Sequence, residues 1–408
     1  MSQQGPILIV SAGESPSFAS ALHETKLFPI VEADWREAAR AVEQLRPGAV
    51  LVPSSGSDRP DLEALARQVA QREPYLPLIV IDPGTRLPDN AVPFTHDADH
   101  PERLLARINS ALRVRSLHAT VMRRLDPPRR VAISDIDPAR DATVLLIGRS
   151  GAYPALSVAL GERIGVVGAL SIEAAAKQLN SRDIDGIVLA DGFTPRVIDA
   201  FLTVLAEDVR FRNLPIVVTS ASLQPTYELA NLEIIAADPA RVAASVLPMV
   251  RQHAFEVHLS RTLRSIDANG LVDARTGLFT RAAFDRDFAT AVYQCQSRGG
   301  GLSVARFAFD PAHPRAQFDG ARIISRLMRQ SDFGVAQGDG SVLVVFAETD
   351  LRNAHMISRR MSAVMRHTSH GRRDTRSEPA VTVATLLPND SAKSLLARLA
   401  DNPQRAAS

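Results

Sequence analysis

The strongest constraint in this chain is a rhythm that occurs twice. Short apolar runs, several of them apolar at every position, alternate with amphipathic stretches. In the first pass PILIV, FPIVEA, AVLVP, LPLIVI and AVPF are separated by SFASALHETK, WREAARAVEQLR and DLEALARQVAQR. A strand apolar at every position has to be covered on both faces, and the intervening lengths suit crossover helices. Together these features predict a parallel sheet wrapped by helices. The pass closes with PERLLARINSALRVRSLHATVMRRL, apolar at helical spacing. After a connector rich in Pro and charge, DPPRRVAISDIDPARD, the order recurs as ATVLLIG, IGVVGAL, DGIVLAD, LPIVVTS and LEIIAAD, with YPALSVALGER, IEAAAKQLNSR and VIDAFLTVLAEDV between them. The expectation is two doubly wound α/β domains of flavodoxin type, with ligand sites at the carboxyl ends of their strands.

The second pass ends in PARVAASVLPMVRQHAFEVHLSRTLRSI, longer than a closing helix needs, so its end is expected to serve as a connector. From about Leu271 the pattern changes to LSVARFAF, SVLVVF and AVTVATLL among helical stretches, which predicts an α+β domain. The predicted organisation is 1–125, a linker over 126–141, 142–252, a connector helix over 253–271, and 272–408. Three units suit 408 residues, because domains commonly hold about 100 to 200 each.

Charge and cysteine content narrow the function. Lys plus Arg number 47 against 45 Asp plus Glu, which argues against nucleic acid as a partner. The cationic clusters Arg123, Arg124, Arg129, Arg130 and Arg359, Arg360, Arg366, Arg372, Arg373 read as solvated helix ends and linkers. A single cysteine, Cys295, cannot form an internal disulfide or a metal cluster, and the start MSQQGPILIV lacks a secretory leader pattern. No window reaches the roughly 18 apolar residues of a membrane helix. The expectation is a cytoplasmic protein without membrane insertion, with a cell pole as a candidate location.

The first two units resemble receiver domains of response regulators in element order and in the LPLIVI and LPIVVTS strands. That resemblance implies an acidic pair for magnesium, a phosphoaccepting aspartate and a lysine. Here Ser11 and Ala12 replace the acidic pair in the first unit, Pro53 replaces the acceptor, and the lysine region reads THDAD. In the second unit Gly148 and Arg149 replace the pair, and Asp238 stands where lysine is expected. Asp191, in ADGFTP, falls at the acceptor position and is the candidate phosphoacceptor; without the metal-binding carboxylates a strand-end aspartate is the plainer reading. Both units are expected to act as pseudo-receivers that form a homodimer or dock partners.

The third unit carries DARTGLFTRAAF, in which Asp273, Thr276, Gly277, Leu278, Arg281 and Phe284 match the entry signature of the GGDEF domain of diguanylate cyclases. The unit, about the last 135 residues of the chain, resembles that nucleotide-cyclase-type family, which implies phosphoryl chemistry on GTP assisted by magnesium held on two acidic ligands. The signature hairpin, however, reads GDGSV. Gly338 fits the first glycine, Asp339 replaces the second, Gly340 replaces the aspartate, and Ser341 replaces the metal-binding acid. The strand motif DxD reads Ala308, Phe309, Asp310, so its first carboxylate is missing too. The guanine-binding segment is shortened to PAHPRAQFDG, and SLLARLADNPQRAAS lacks the family's triphosphate-contacting tail.

Arg329 and Asp332, in RQSD, stand at the spacing of the family's inhibitory site, which binds the product cyclic-di-GMP. An arginine fork can take phosphate or guanine, and a carboxylate can accept from guanine N–H groups. An ordinary i,i+3 surface pair is the alternative. The domain order resembles PleD-type response regulators, and dead catalytic positions beside a kept RxxD are closer to the non-catalytic PopA type. The resemblance therefore implies no enzyme, no catalytic residue, no metal and no cofactor. It implies a cyclic-di-GMP-regulated effector that recruits or positions a protein partner. The alternatives are a nucleotide-independent dimeric scaffold and a residual cyclase.

Overall fold

The computed structural model describes residues 5–13, 15–53, 59–84, 87–97, 99–125, 137, 140–149, 151–219, 227–310, 314–329, 331–365 and 379–400. Most of the expected linker 126–141 and the arginines at 129, 130, 366, 372 and 373 lie outside them. The chain divides into two compact units. The first is Met1–Ile164 with Gly168–Ala175 and Ile184–Leu259; the second is Gly165–Val167 with Ala176–Asp183 and Ser260–Ser408.

The opening rhythm folds as β1 (Ile7–Ser11), α1 (Ser17–Thr25), β2 (Ile30–Asp34), α2 (Trp35–Leu45), β3 (Ala49–Pro53), α3 (Arg59–Ala70), β4 (Leu78–Ile81), β5 (Ala91–Phe94) and α4 (Pro101–Arg124). The strands pair in parallel in the order β2-β1-β3-β4-β5, the flavodoxin-type order. Ala38 and Val42 of α2 and Leu65, Ala66 and Val69 of α3 pack on Leu8, Val10, Val50 and Val52, so one face of the sheet is sealed by the apolar stripes of two helices. α2 starts where it does because Asp34 Oδ1 accepts from the N–H groups of Arg36 at 2.7 Å and Glu37 at 3.2 Å, satisfying two donors that have no partner within the helix.

The second pass gives β6 (Thr143–Ile147), α5 (Tyr153–Gly161), β7 (Gly165–Ala169), α6 (Ile172–Ser181), β8 (Gly186–Leu189), α7 (Pro195–Glu207), β9 (Ile216–Val218), β10 (Leu232–Ile234) and α8 (Pro239–Asp267). The sheet order is β10-β9-β8-β6-β7, the same topology read from the other edge. α8 is one 29-residue helix with Pro248 inside it, so the closing helix and the expected connector form a single element.

The last part is an α+β arrangement: α9 (Arg281–Arg298), β11 (Leu302–Ala308), α10 (Pro314–Leu327), β12 (Phe333–Ala336), β13 (Ser341–Ala347), α11 (Leu351–Met365), β14 (Ala380–Thr385) and α12 (Ala392–Ala400). Its four strands run antiparallel in the order β12-β13-β11-β14. Alternate residues of β13 go to opposite faces. Val342, Val344 and Phe346 pack with Ala321 and Ile324 of α10 and Ala354 and Met361 of α11, whereas Leu343 and Val345 pack with Phe284 and Phe288 of α9 and Leu395 and Leu399 of α12. Among the described residues no helix is long and apolar enough to cross a membrane.

One buried histidine makes the first unit acid-sensitive. His118 of α4 accepts from the Tyr75 N–H through Nδ1 at 2.9 Å and meets the Phe255 ring edge-on at 5.1 Å. Burial holds its pKa below the ordinary 6.5. A depressed histidine contributes stability above the unfolded value that is lost as pH falls through the folded one. Urea midpoints of the wild type should therefore fall between pH 7.5 and 5.5, and His118→Gln, which keeps an acceptor but cannot titrate, should lose part of that slope.

Candidate functional site

The entry motif is a folded turn. Asp273 Oδ2 accepts from the Thr276 N–H at 3.2 Å and from the Thr276 hydroxyl at 2.6 Å, and Oδ1 accepts from the Arg275 N–H at 3.2 Å. Thr276 Oγ1 accepts in turn from the Leu278 N–H at 3.3 Å. Gly277 sits at φ +75°, and a Cβ there would meet Ser325 Oγ at 2.9 Å, so the position needs glycine on two counts. Leu278 and Phe284 are driven into the core, while Arg281 stays outside, bonded to Asp285 at 2.9 Å and to Gln337 Oε1 at 2.6 Å. Every motif residue is thus accounted for by the turn and its packing. Asp273→Ala strands two backbone donors and a hydroxyl, and should lower the unfolding free energy of the second unit by about 1–3 kcal/mol in urea titration.

The GDGSV hairpin joins β12 to β13. The Gln337 N–H donates to the Ser341 carbonyl at 2.7 Å, Gly340 turns at φ +84°, and Ser341 lies directly opposite Ala308 across β11. Gln317 of α10 pins the loop by donating to the Gln337 carbonyl at 2.8 Å. Asp339 points its carboxylate back along the sheet. Its Oδ2 takes Arg306 Nη2 at 2.9 Å, and its Oδ1 takes the Ser341 hydroxyl at 2.6 Å and the Ser341 N–H at 3.0 Å. Burial pushes this carboxyl's pKa up, but the Ser341 and Arg306 donors together outweigh it and hold the group below the ordinary aspartate value. A guanidinium and a hydroxyl therefore stand around the carboxylate that a divalent cation would need. Among the described residues no group of three or more His, Cys, Asp or Glu could hold a metal ion. Ser341 is buried, Gly338 and Asp310 are exposed, and the donor set does not fit magnesium. Arg306, which belongs to no motif in the sequence, is the group that reshapes this corner.

At the other end of β12 stands the RQSD turn. Asp332 Oδ2 accepts from the Arg329 N–H at 3.2 Å, and the Asp332 N–H donates to the Arg329 carbonyl at 3.0 Å, closing a compact loop between α10 and β12. The structure joins Arg329 and Asp332 through the backbone, and the Arg329 charge also acts on the Asp332 carboxylate. The Arg329 side chain is exposed, and Asp332 is half-buried. Burial raises the Asp332 carboxyl, with the backbone N–H groups of Arg329 and Ala347 opposing. The turn and the GDGSV hairpin are separated by the four residues of β12, about 13 Å of strand.

Asp191 follows β8 at the carboxyl edge of the second parallel sheet. Its Oδ1 accepts from the Thr219 hydroxyl at 3.1 Å, and its carbonyl from the Arg149 N–H at 3.3 Å. The Arg149 guanidinium lies over the Phe193 ring at 5.6 Å and its Nε donates to the Leu170 carbonyl. Gly148 is tightly enclosed, since a Cβ there would meet Ala190 Cβ at 2.8 Å. Asp238 accepts from the Ala240 N–H at 3.2 Å and caps α8. At the matching edge of the first sheet Ser11 is buried and Pro53 ends β3. Thr219 was legible only as the polar end of LPIVVTS.

No family model matches the chain, and no curated protein matches it. Over about a third of its length it is similar to solved GGDEF domains. It shares 17% identity with the coiled coil and GGDEF domain of DgcB from Caulobacter crescentus in complex with c-di-GMP, covering 36% of this chain and 84% of that one, with a TM-score of 0.31. It shares 16% with the FimX GGDEF domain from Pseudomonas aeruginosa, covering 34% and 93%, with a TM-score of 0.30. It shares 22% with the GGDEF domain of PA1120 from the same organism, covering 31% and 82%, with a TM-score of 0.27.

Proposed function

We propose that this chain is a catalytically inactive GGDEF-type protein that binds cyclic-di-GMP at the Arg329–Asp332 turn and, when loaded, positions a protein partner. The observation that carries the reading is the contrast between the two ends of β12. At the hairpin end, Ala308, Gly340 and Ser341 take the places of acids, and Asp339 is engaged by Arg306, so the carboxylates the family would use to hold magnesium against the charge of phosphoryl transfer are replaced. At the other end, a closed turn presents an exposed arginine whose fork suits phosphate or the guanine edge, next to a half-buried carboxylate suited to guanine N–H groups. The two parallel sheets keep the receiver order without its acidic pairs, which supports pseudo-receivers in a PleD-like arrangement; Asp191, already held by Thr219, is a strand-end residue in this reading.

The nucleotide-independent scaffold is the second reading. It is favoured by the hydrogen bond from the Arg329 N–H to Asp332, which gives the carboxylate a structural use that needs no ligand. Calorimetric titration of cyclic-di-GMP into wild type, Arg329→Ala and Asp332→Asn separates the two, alongside GTP turnover in magnesium. Wild type should bind, and Arg329→Ala should bind about 10- to 100-fold more weakly, the loss expected for charge-assisted hydrogen bonds. Asp332→Asn keeps an acceptor for the turn and should fold normally while binding poorly. Absence of wild-type binding leaves the scaffold, and turnover of GTP overturns both.

A further inference from the structure

Within the first unit, the two parallel sheets meet through matching elements. α4 lies against β10 and α8, each being the last strand or last helix of its sheet. Arg107 of α4 is fully buried there. Its Nη2 donates to Glu233 Oε1 of β10 at 2.8 Å, its Nε to the Ala230 carbonyl at 2.9 Å and its Nη1 to the Pro93 carbonyl at 2.6 Å. Glu233 is 1% exposed, and its other oxygen accepts from the Thr95 N–H at 3.1 Å. Around this pair the contact has an approximate symmetry of position, though not of partner. Arg113 and Arg251 each stand twelve residues after the proline that opens their helix. Arg113 reaches across to Glu256 at 2.9 Å, and Arg251 reaches back to the Asp89 carbonyl at 3.1 Å.

The central pair breaks that symmetry. Ser245 holds in α8 the place that Arg107 holds in α4, six residues after the opening proline. Val92 holds in β5 the place of Glu233 in β10, because their paired neighbours Ile79 and Val217 occupy the same position of LPLIV and LPIVV. First half against first half would bury Arg107 facing a valine. Second half against second half would bury Glu233 facing a serine. Either would leave a desolvated charge without a partner, a penalty of several kcal/mol per ion. Only first against second satisfies both charges.

We infer that this face is a self-recognition code read within one chain. The two halves are each other's fixed partner, like-with-like pairing between copies is rejected by the Arg107–Glu233 difference, and any association of two chains uses a different surface. This goes beyond the ligand reading and does not depend on it.

The test uses the full chain in a Cys295→Ser background. Arg113→Cys and Glu256→Cys, at partly exposed positions, are combined in one chain and treated with a short bis-maleimide in dilute solution. They are also placed singly in two chains that are co-expressed and treated alike. Thermal melting of each variant checks that it is folded, and the pair Arg251→Cys with Asp89→Cys, across the same contact, serves as the substitute if the double variant melts early. The expected result is a cross-link within chains of monomer mass and none between the co-expressed single variants. Cross-linked species of twice the mass from the singly substituted chains would show the contact to be exchanged between copies and overturn the inference, as would the absence of any cross-link in the folded double variant.

Discussion

Glu233→Ala should lower the unfolding free energy of the first unit by about 3–5 kcal/mol, measured by urea titration of circular dichroism. The reason is asymmetric. The Arg107 guanidinium is fully buried and would keep its bonds to the Ala230 and Pro93 carbonyls while losing the Glu233 carboxylate. Removing one member of a buried pair leaves the other uncompensated, which costs far more than the net value of the pair. The double replacement Arg107→Met with Glu233→Leu should accordingly recover most of the loss, because apolar side chains of similar volume need no compensation. A cost under about 1 kcal/mol for Glu233→Ala would mean that water reaches the guanidinium, and the pair would lose its role in holding the halves together.

Phe284→Ala should destabilise the second unit by about 3–5 kcal/mol, read from the midpoint of its own transition. Phe284 is fully buried, stacked on Phe288 with centroids 5.5 Å apart and edge-on to Phe333 at 5.7 Å. Deleting the ring removes its apolar burial and both aromatic contacts, and leaves a cavity between α9 and the sheet. Arg329→Ala, on an exposed side chain, should stay within about 0.5 kcal/mol of wild type. The comparison separates two kinds of motif residue: a signature phenylalanine whose loss weakens the unit, and a surface arginine whose loss leaves its stability unchanged.

The sheets were legible because burial on both faces removes polar positions from a strand: β3, β4 and β8 have none, and β1 and β6 have one each, at an end. The antiparallel sheet was legible as three apolar runs, while the short β12, FGVA, was hidden between RQSD and GDGSV. α8 was divided by expectation at about 253 because its excess length suggested a connector after a closing helix; one helix runs through both. The interface between the sheets could not be read. Arg107 in LLARINS looks like the solvated face of a helix, and Glu233 in LEI like the outward residue of an edge strand. What buries them is a contact across 126 residues of sequence, which no local period encodes. The same limit hid Arg306, whose meaning depends on a hairpin 33 residues away.

Those 126 residues also set a clock. On a ribosome adding about 5–20 residues each second, the α4 face is complete roughly 6 to 25 s before its acidic counterpart is made. During that interval a newborn chain displays an apolar surface centred on an unanswered arginine. Any contact between two such unfinished chains through that surface would have to bury the charge without its carboxylate.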